Sequence, residues 1–154
     1  SHMPIEPLLI DIAHAHGLHT TTTMSFRSVV AAGDMLQLAE VKAVESGYPL
    51  RGKLRITRSL FGAETITEAL PTPGTVWVDS RLLQLLAVNI GDAIHLGSAE
   101  LEVAALLAYE PDRGGDLFNI APRLLMHLAD VPATGLILPG SRVEYRLLLG
   151  GDAV

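Results

Sequence analysis

Apolar and polar positions along this chain recur at short, changing periods, and the changes divide it into strands, short helices and tight turns. Residues 4–16 (PIEPLLIDIAHAH) set Leu8, Leu9, Ile12 and Ala13 on one face at helical spacing, with Pro4 and Pro7 in the first turn and Gly17 at the C′ position. That predicts a helix. Residues 18–26 hold four consecutive threonines, β-branched and poor for a helix, and predict a strand. Residues 28–31 and 35–44 predict a hairpin whose turn is Gly33-Asp34. In LQLAEVKAV the apolar positions Leu36, Leu38, Val41 and Val44 alternate imperfectly, which predicts a bulge near Ala39. Residues 47–52 (GYPLRG) turn the chain into a short strand, KLRIT. Residues 59–74 have no clean period and read as a loop or linker.

The second half is better patterned. Residues 75–78 (TVWV) predict a strand, Asp79 or Ser80 caps a helix carried by residues 81–86, and residues 88–92 turn the chain. Residues 93–96 and 100–107 form a hairpin around Gly97-Ser98, closed by Pro111. Residues 121–128 predict a helix, and Pro139-Gly140 leads into a final strand over 142–149. Trp77, the Leu82, Leu83, Leu85 and Leu86 set, and Leu124, Leu125 and Leu128 are the candidate core. There is no tandem repeat. The order helix, strands, helix, strands, helix, strand predicts a mixed α+β class, largely antiparallel because several links are tight turns.

Composition narrows the function classes. With 49% hydrophobic and 18% charged residues over 154 positions, the chain can bury a sizeable core and is not disordered. Mean hydropathy is +0.36, yet no stretch approaches the ~18 uninterrupted apolar residues of a membrane helix. The net charge of −6 and singly scattered arginines argue against nucleic acid. The lack of cysteine excludes disulfides, thiolate catalysis and Cys-zinc sites. Ser1-His2-Met3 reads as the remnant of a cleaved expression tag, so the native sequence starts near Pro4 without a signal peptide: a cytosolic protein, or a piece of something longer.

Candidate chemistry is sparse. His14 and His16 point roughly 160–200° apart on a helix, and Gly17 breaks that helix before His19, so the three do not converge on a metal. Glu110, Asp112 and Asp116 lack the alternating ligands and the bidentate twelfth-position Glu of a calcium loop. Asp112-Arg113-Gly114-Gly115 reads better as a charged turn, and with Arg123 it is the candidate interlobe or interaction element. No G-x-S-x-G, Walker loop or G-x-G-x-x-G occurs, and Glu45 and Asp79 are merely one pair among many acids. The expectation is a non-catalytic chain with no cofactor and no metal.

Three strings carry a resemblance to a known family. TVWVDSRLLQLLAVNIGDAIHLGSAELEVAALLAYEPDRG resembles the strand, helix, V-x-x-G-D, hairpin signature of the MacB-like periplasmic core domain of FtsX-family ABC-transporter permeases. SFRSVVAAGDMLQLAEVKAVESGYPLRGKLRI and FNIAPRLLMHLADVPATGLILPGSRVEYRLLLGG resemble its YbbP-type branch. The resemblance implies an extracytoplasmic domain on the periplasmic face of the bacterial inner membrane, anchored through its parent, which follows the first transmembrane helix and precedes the others. It implies a partial porter-like β-α-β lobe over residues 4–56, an inserted β-rich lobe over 57–140, and a strand returning to the first lobe within 141–154. An incomplete porter sheet would leave edges open to swapping or homodimerisation.

The partners implied are a cytoplasmic ABC ATPase, which hydrolyses ATP, and a lipid, lipoprotein or lipase-like periplasmic protein. The domain itself would bind substrate or partner and transmit ATP-driven motion. Two other classes remain open on the residues alone. One is a stand-alone periplasmic binding or assembly module without a transporter. The other is a hydrolase built on Asp112, Arg113 and His127, which requires those side chains in one pocket.

Overall fold

The four threonines open a strand longer than their pattern suggests. A computed structural model describes residues 18–49, 52–109, 121–137 and 144–151. In it β1 runs unbroken over Leu18–Ala32, joining the two strands read separately above, and β2 covers Met35–Val44. The two-residue turn is Gly33-Asp34, and Gly33 takes the left-handed φ of 56° that such a hairpin needs. The pairing runs in continuous register from Met24↔Ala43 to Ala32↔Met35, so there is no bulge near Ala39. The imperfect alternation has another cause. Leu36 and Leu38 point outward and stay exposed, whereas Ala39, Val41 and Ala43 point inward and are buried. The hydrophobic residues change face while the backbone keeps its phase.

The remaining elements are β3 (Leu54–Thr57), β4 (Thr65–Thr67), β5 (Thr75–Val78), α1 (Ser80–Leu86), β6 (Ala93–Leu96), β7 (Ala99–Tyr109), β8 (Arg123–His127), a 3-10 turn (Leu128–Asp130), α2 (Val131–Thr134) and β9 (Glu144–Gly151). Asp79 is the N-cap of α1, accepting from the Arg81 N–H, which decides between it and Ser80. Two expectations are corrected. The stretch 59–74 is not wholly loop, because β4 pairs with β3. The helix expected over 121–128 is instead the strand β8, parallel to β2 and antiparallel to β5. A strand buried on both faces shows no alternation, and a short apolar run of this kind carries no period to separate strand from helix. The expected helix over 4–16, the Pro111 stop and the Pro139-Gly140 turn lie outside the described residues.

Among the described residues, all nine strands belong to one sheet, ordered β4-β3-β7-β5-β8-β2-β1-β6, with β9 on β1 and a further pairing of β6 with β7. That last pairing closes β7-β5-β8-β2-β1-β6 into a ring. In β6, His95 and Leu96 pair on one side with Ala31 and Val30 of β1, and all four residues pair on the other with residues 99–102 of β7. Most pairings are antiparallel; β2–β8 and β5–β7 are parallel. The mixed α+β class holds, with strands dominating and two short helices among the described residues.

Two cores result. The first takes residues from all six ring strands, among them Phe26, Val30, Val41, Val76, Leu96 and Leu124, and therefore fills the ring. Leu82, Leu83 and Leu86 of α1 pack into it, whereas Leu85 faces solvent. The second lies on the outer face: Val44, Tyr48, Leu54, Ile56, Trp77, Leu107 and Leu125, with β3 and Tyr48 as its cover. In β8, Leu124 and Met126 point into the ring and Leu125 into the outer core, which is why the strand is apolar without a break.

Candidate functional site

Of the candidate interaction residues, Asp112, Arg113, Gly114 and Gly115 lie outside the described residues. Arg123 is described: it opens β8, is buried, and stands opposite Glu40 in the parallel register. Its carbonyl accepts from the Asp79 N–H at 3.0 Å, and the neighbouring Pro122 carbonyl accepts from the Glu40 N–H at 2.9 Å. Main-chain bonds thus tie the entry of β8 both to β2 and to the start of α1.

The residues weighed for chemistry have structural employment. His127 Nδ1 accepts from the Ala129 N–H at 3.0 Å and caps the 3-10 turn. Asp79 accepts from Arg81 N–H through Oδ1 at 2.9 Å, and from Arg81 Nε and Nη2 through Oδ2 at 3.1 and 2.9 Å. Those bonds raise the Arg81 guanidinium pKa above its ordinary value, first through hydrogen bonding and then through charge. Glu45 accepts the Thr22 N–H at 3.3 Å, bracing the start of β1 against the end of β2. His14 and His16 lie outside the described residues, and among the described residues no three His, Asp or Glu side chains gather as a metal site would require.

Three features went unread in the sequence. Lys42 is buried on the outer face of β2, its ammonium donating to Tyr48 Oη at 3.0 Å and lying 4.6 Å from the centre of that ring. A lysine at an outward strand position normally signals solvent, and only the aromatic six residues on hints otherwise. The second feature is an apolar patch near the β1–β2 turn. Val29 and Leu38 are direct cross-strand partners, Leu36 faces Ala31, and Leu36 is 68% exposed.

The third is the connection between β3 and β4. The Gly62 N–H donates to the Ser59 carbonyl at 3.1 Å, so Leu60 and Phe61 are the two central residues of a β-turn. Phe61 is 95% exposed, and Ile66 of β4, five residues on, is 63% exposed. Turn centres ordinarily carry Gly, Asn, Asp, Ser or Pro, so a Leu-Phe pair there is chemically unusual.

Comparison with known proteins bears on what such a scaffold belongs to. No family model matches the sequence. A curated protein from Escherichia coli (strain K12), the uncharacterized ABC transporter permease YbbP, is 40% identical over 144 residues, which is 93% of this chain. The chain is similar to part of an ABC permease. It spans 17% of that relative's length, so the likeness covers one segment of a much larger protein. Among the described residues no helix is long and apolar enough to cross a membrane.

Proposed function

We propose that this chain is an extracytoplasmic domain of an ABC-transporter permease, held at the periplasmic face of the inner membrane by its parent. In this reading it binds substrate or partner and transmits motion driven by a cytoplasmic ABC ATPase, in the handling of lipid or lipoprotein. The observation that carries the reading is the 40% identity to YbbP along nearly the whole chain. The architecture suits the role. A ring of hydrogen-bonded strands with a core on each face resists shear, so force applied at one element reaches the others without local unfolding.

The division into lobes over 4–56, 57–140 and 141–154 belongs to the same proposal. The pairings β2–β8 and β1–β6 cross the boundary between the first two, and hinge motion there would break them. The lever is therefore the domain as a unit. The charged turn at Asp112, Arg113, Gly114 and Gly115, with Arg123 at the entry of β8, is its proposed contact element.

The direct experiment is cysteine topology mapping in the full-length parent. Gln84 is exposed on α1 and this segment contributes no cysteine of its own, so Gln84→Cys, in a parent whose other cysteines are replaced by serine, offers the handle. A membrane-impermeant maleimide should label it in intact spheroplasts. Labelling only after the membrane is permeabilised would refute an extracytoplasmic location.

A further inference from the structure

We propose that the outer half of the β1–β2 hairpin, residues 28–39, is a flap that lifts off β6 and opens the ring while the rest of the domain stays folded. The pairings of the hairpin stop in a telling place. On β1, the ladder to β9 covers Leu18 to Ser25 and goes no further. On β2, the parallel ladder to β8 begins at Glu40 and runs to Val44. Both clamps therefore hold the same half of the hairpin. Among the described residues, strand pairing joins the other half to the body of the domain only at Val30↔Leu96 and Ala31↔His95. Its own register, Ser28↔Ala39 to Ala32↔Met35, is unbroken, so it moves as one piece.

Side chains hold the flap lightly as well. Its contribution to the ring core is Val30, Ala32 and Ala39, two of them alanines, whereas the clamped half contributes Met24, Phe26, Val41 and Ala43. Met35 is 45% exposed, and the outward Val29, Leu36 and Leu38 are exposed and add no hold. Detaching small side chains forfeits little burial, and two residue pairs carry few bonds. The edge of the flap beyond the reach of β8 is partly satisfied from within, since Gln37 Nε2 donates to the Leu38 carbonyl at 3.0 Å.

What lies on either side of the moving part is fixed. The hinge falls at the row Arg27–Glu40, joined by an ion pair at 3.2 Å, where the Glu40 N–H also donates to the Pro122 carbonyl at 2.9 Å. On the far side, β6 keeps four pairs to β7, and the turn between them is tied down by the Ser98 N–H on the Thr134 carbonyl. Lifting the flap uncovers Val30 and Leu96, both fully buried when it is shut, and gives the ring an open and a closed state. Load passing through β8 or β9 enters the clamped half and bypasses the flap, so the inference stands apart from the transporter reading.

Native-state hydrogen exchange on the chain, read by NMR, tests this. Amides of residues 30, 31, 95 and 96 that bond across the seam should exchange at least about a hundredfold faster than those of Val41 to Val44. Their rates should barely respond to low urea, because the opening exposes little surface. Equal protection in both sets, with the same urea dependence, would mean global opening alone and would overturn the proposal.

A linked variant supplies the second readout. Ala31→Cys with His95→Cys places two thiols on opposed, outward-facing residues across the seam, in a chain without other cysteines. Joining them with a short bis-maleimide should slow seam exchange at least about tenfold. The same variant with each thiol capped singly should exchange as the wild type does and keep its urea midpoint. Seam exchange that the linker leaves unmoved would overturn the flap.

Discussion

Asp130 accepts the Gly74 N–H at 2.7 Å, a bond between residues 56 positions apart. It ties the entry of β5 to the 3-10 turn after β8, two strands that are themselves paired. Asp130→Ala should lower unfolding free energy by about 1–2 kcal/mol, since it removes a charged acceptor from a main-chain donor. Asp130→Asn should recover part of the loss. Urea midpoints at constant slope are the measurement.

The cap of α1 makes a second test. Asp79→Ala should cost about 1 kcal/mol by freeing a first-turn N–H, while Arg81→Ala should cost less than about 0.5 kcal/mol because its pair is partly exposed. The raised Arg81 pKa gives a sign as well. A group whose folded pKa is raised stabilises below its unfolded value and loses that contribution only as pH climbs through the folded one. For an arginine both lie above the neutral range, so Arg81 itself should add no pH dependence between pH 5 and 9.

Two glycines should respond differently to alanine. Gly33 and Gly97 both have φ near +57°, at 56° and 57°. A Cβ on Gly33 meets open space, so Gly33→Ala should cost only the left-handed strain, about 1 kcal/mol. A Cβ on Gly97 would collide with the Thr134 carbonyl and Leu136, and the Ser98 N–H bond to that carbonyl at 2.8 Å holds the two segments together. Gly97→Ala should cost at least about 2 kcal/mol more than Gly33→Ala in thermal or urea unfolding.

The buried Lys42–Tyr48 contact should behave as a coupled pair. Tyr48→Phe keeps the ring but takes the hydroxyl acceptor from a buried ammonium, and should destabilise by about 1–3 kcal/mol. Lys42→Met combined with Tyr48→Phe should cost less than the sum of the single changes. A double-mutant cycle reads the coupling directly.

Legibility in the sequence followed how many faces of each element meet water. The β1–β2 turn at Gly33-Asp34, the β6–β7 turn at Gly97-Ser98 and the start of α1 were readable because local chemistry decides them. Residues 123–127 were misread as helix because Leu124 and Met126 feed one core and Leu125 the other, leaving no polar face to set a period. The supposed bulge near Ala39 arose from Leu36 and Leu38, which stay exposed although a soluble sheet would ordinarily turn them inward. Of the candidate surfaces, Phe61 was visible in principle. A Leu-Phe pair between Ser59 and Gly62 is conspicuous once the segment is known to turn, but the lack of period across 59–74 concealed the turn itself.

The closure through β6 has a consequence for how the domain comes into being. Joining Val30 to Leu96 requires the β1–β2 hairpin to wait, with its inner face uncovered, until the middle of the chain arrives. Such non-local pairing makes for slow, cooperative assembly with few stable partial forms. During synthesis that waiting hairpin is the segment that most needs company: an early-exposed sheet whose fate is settled by a four-residue strand made much later.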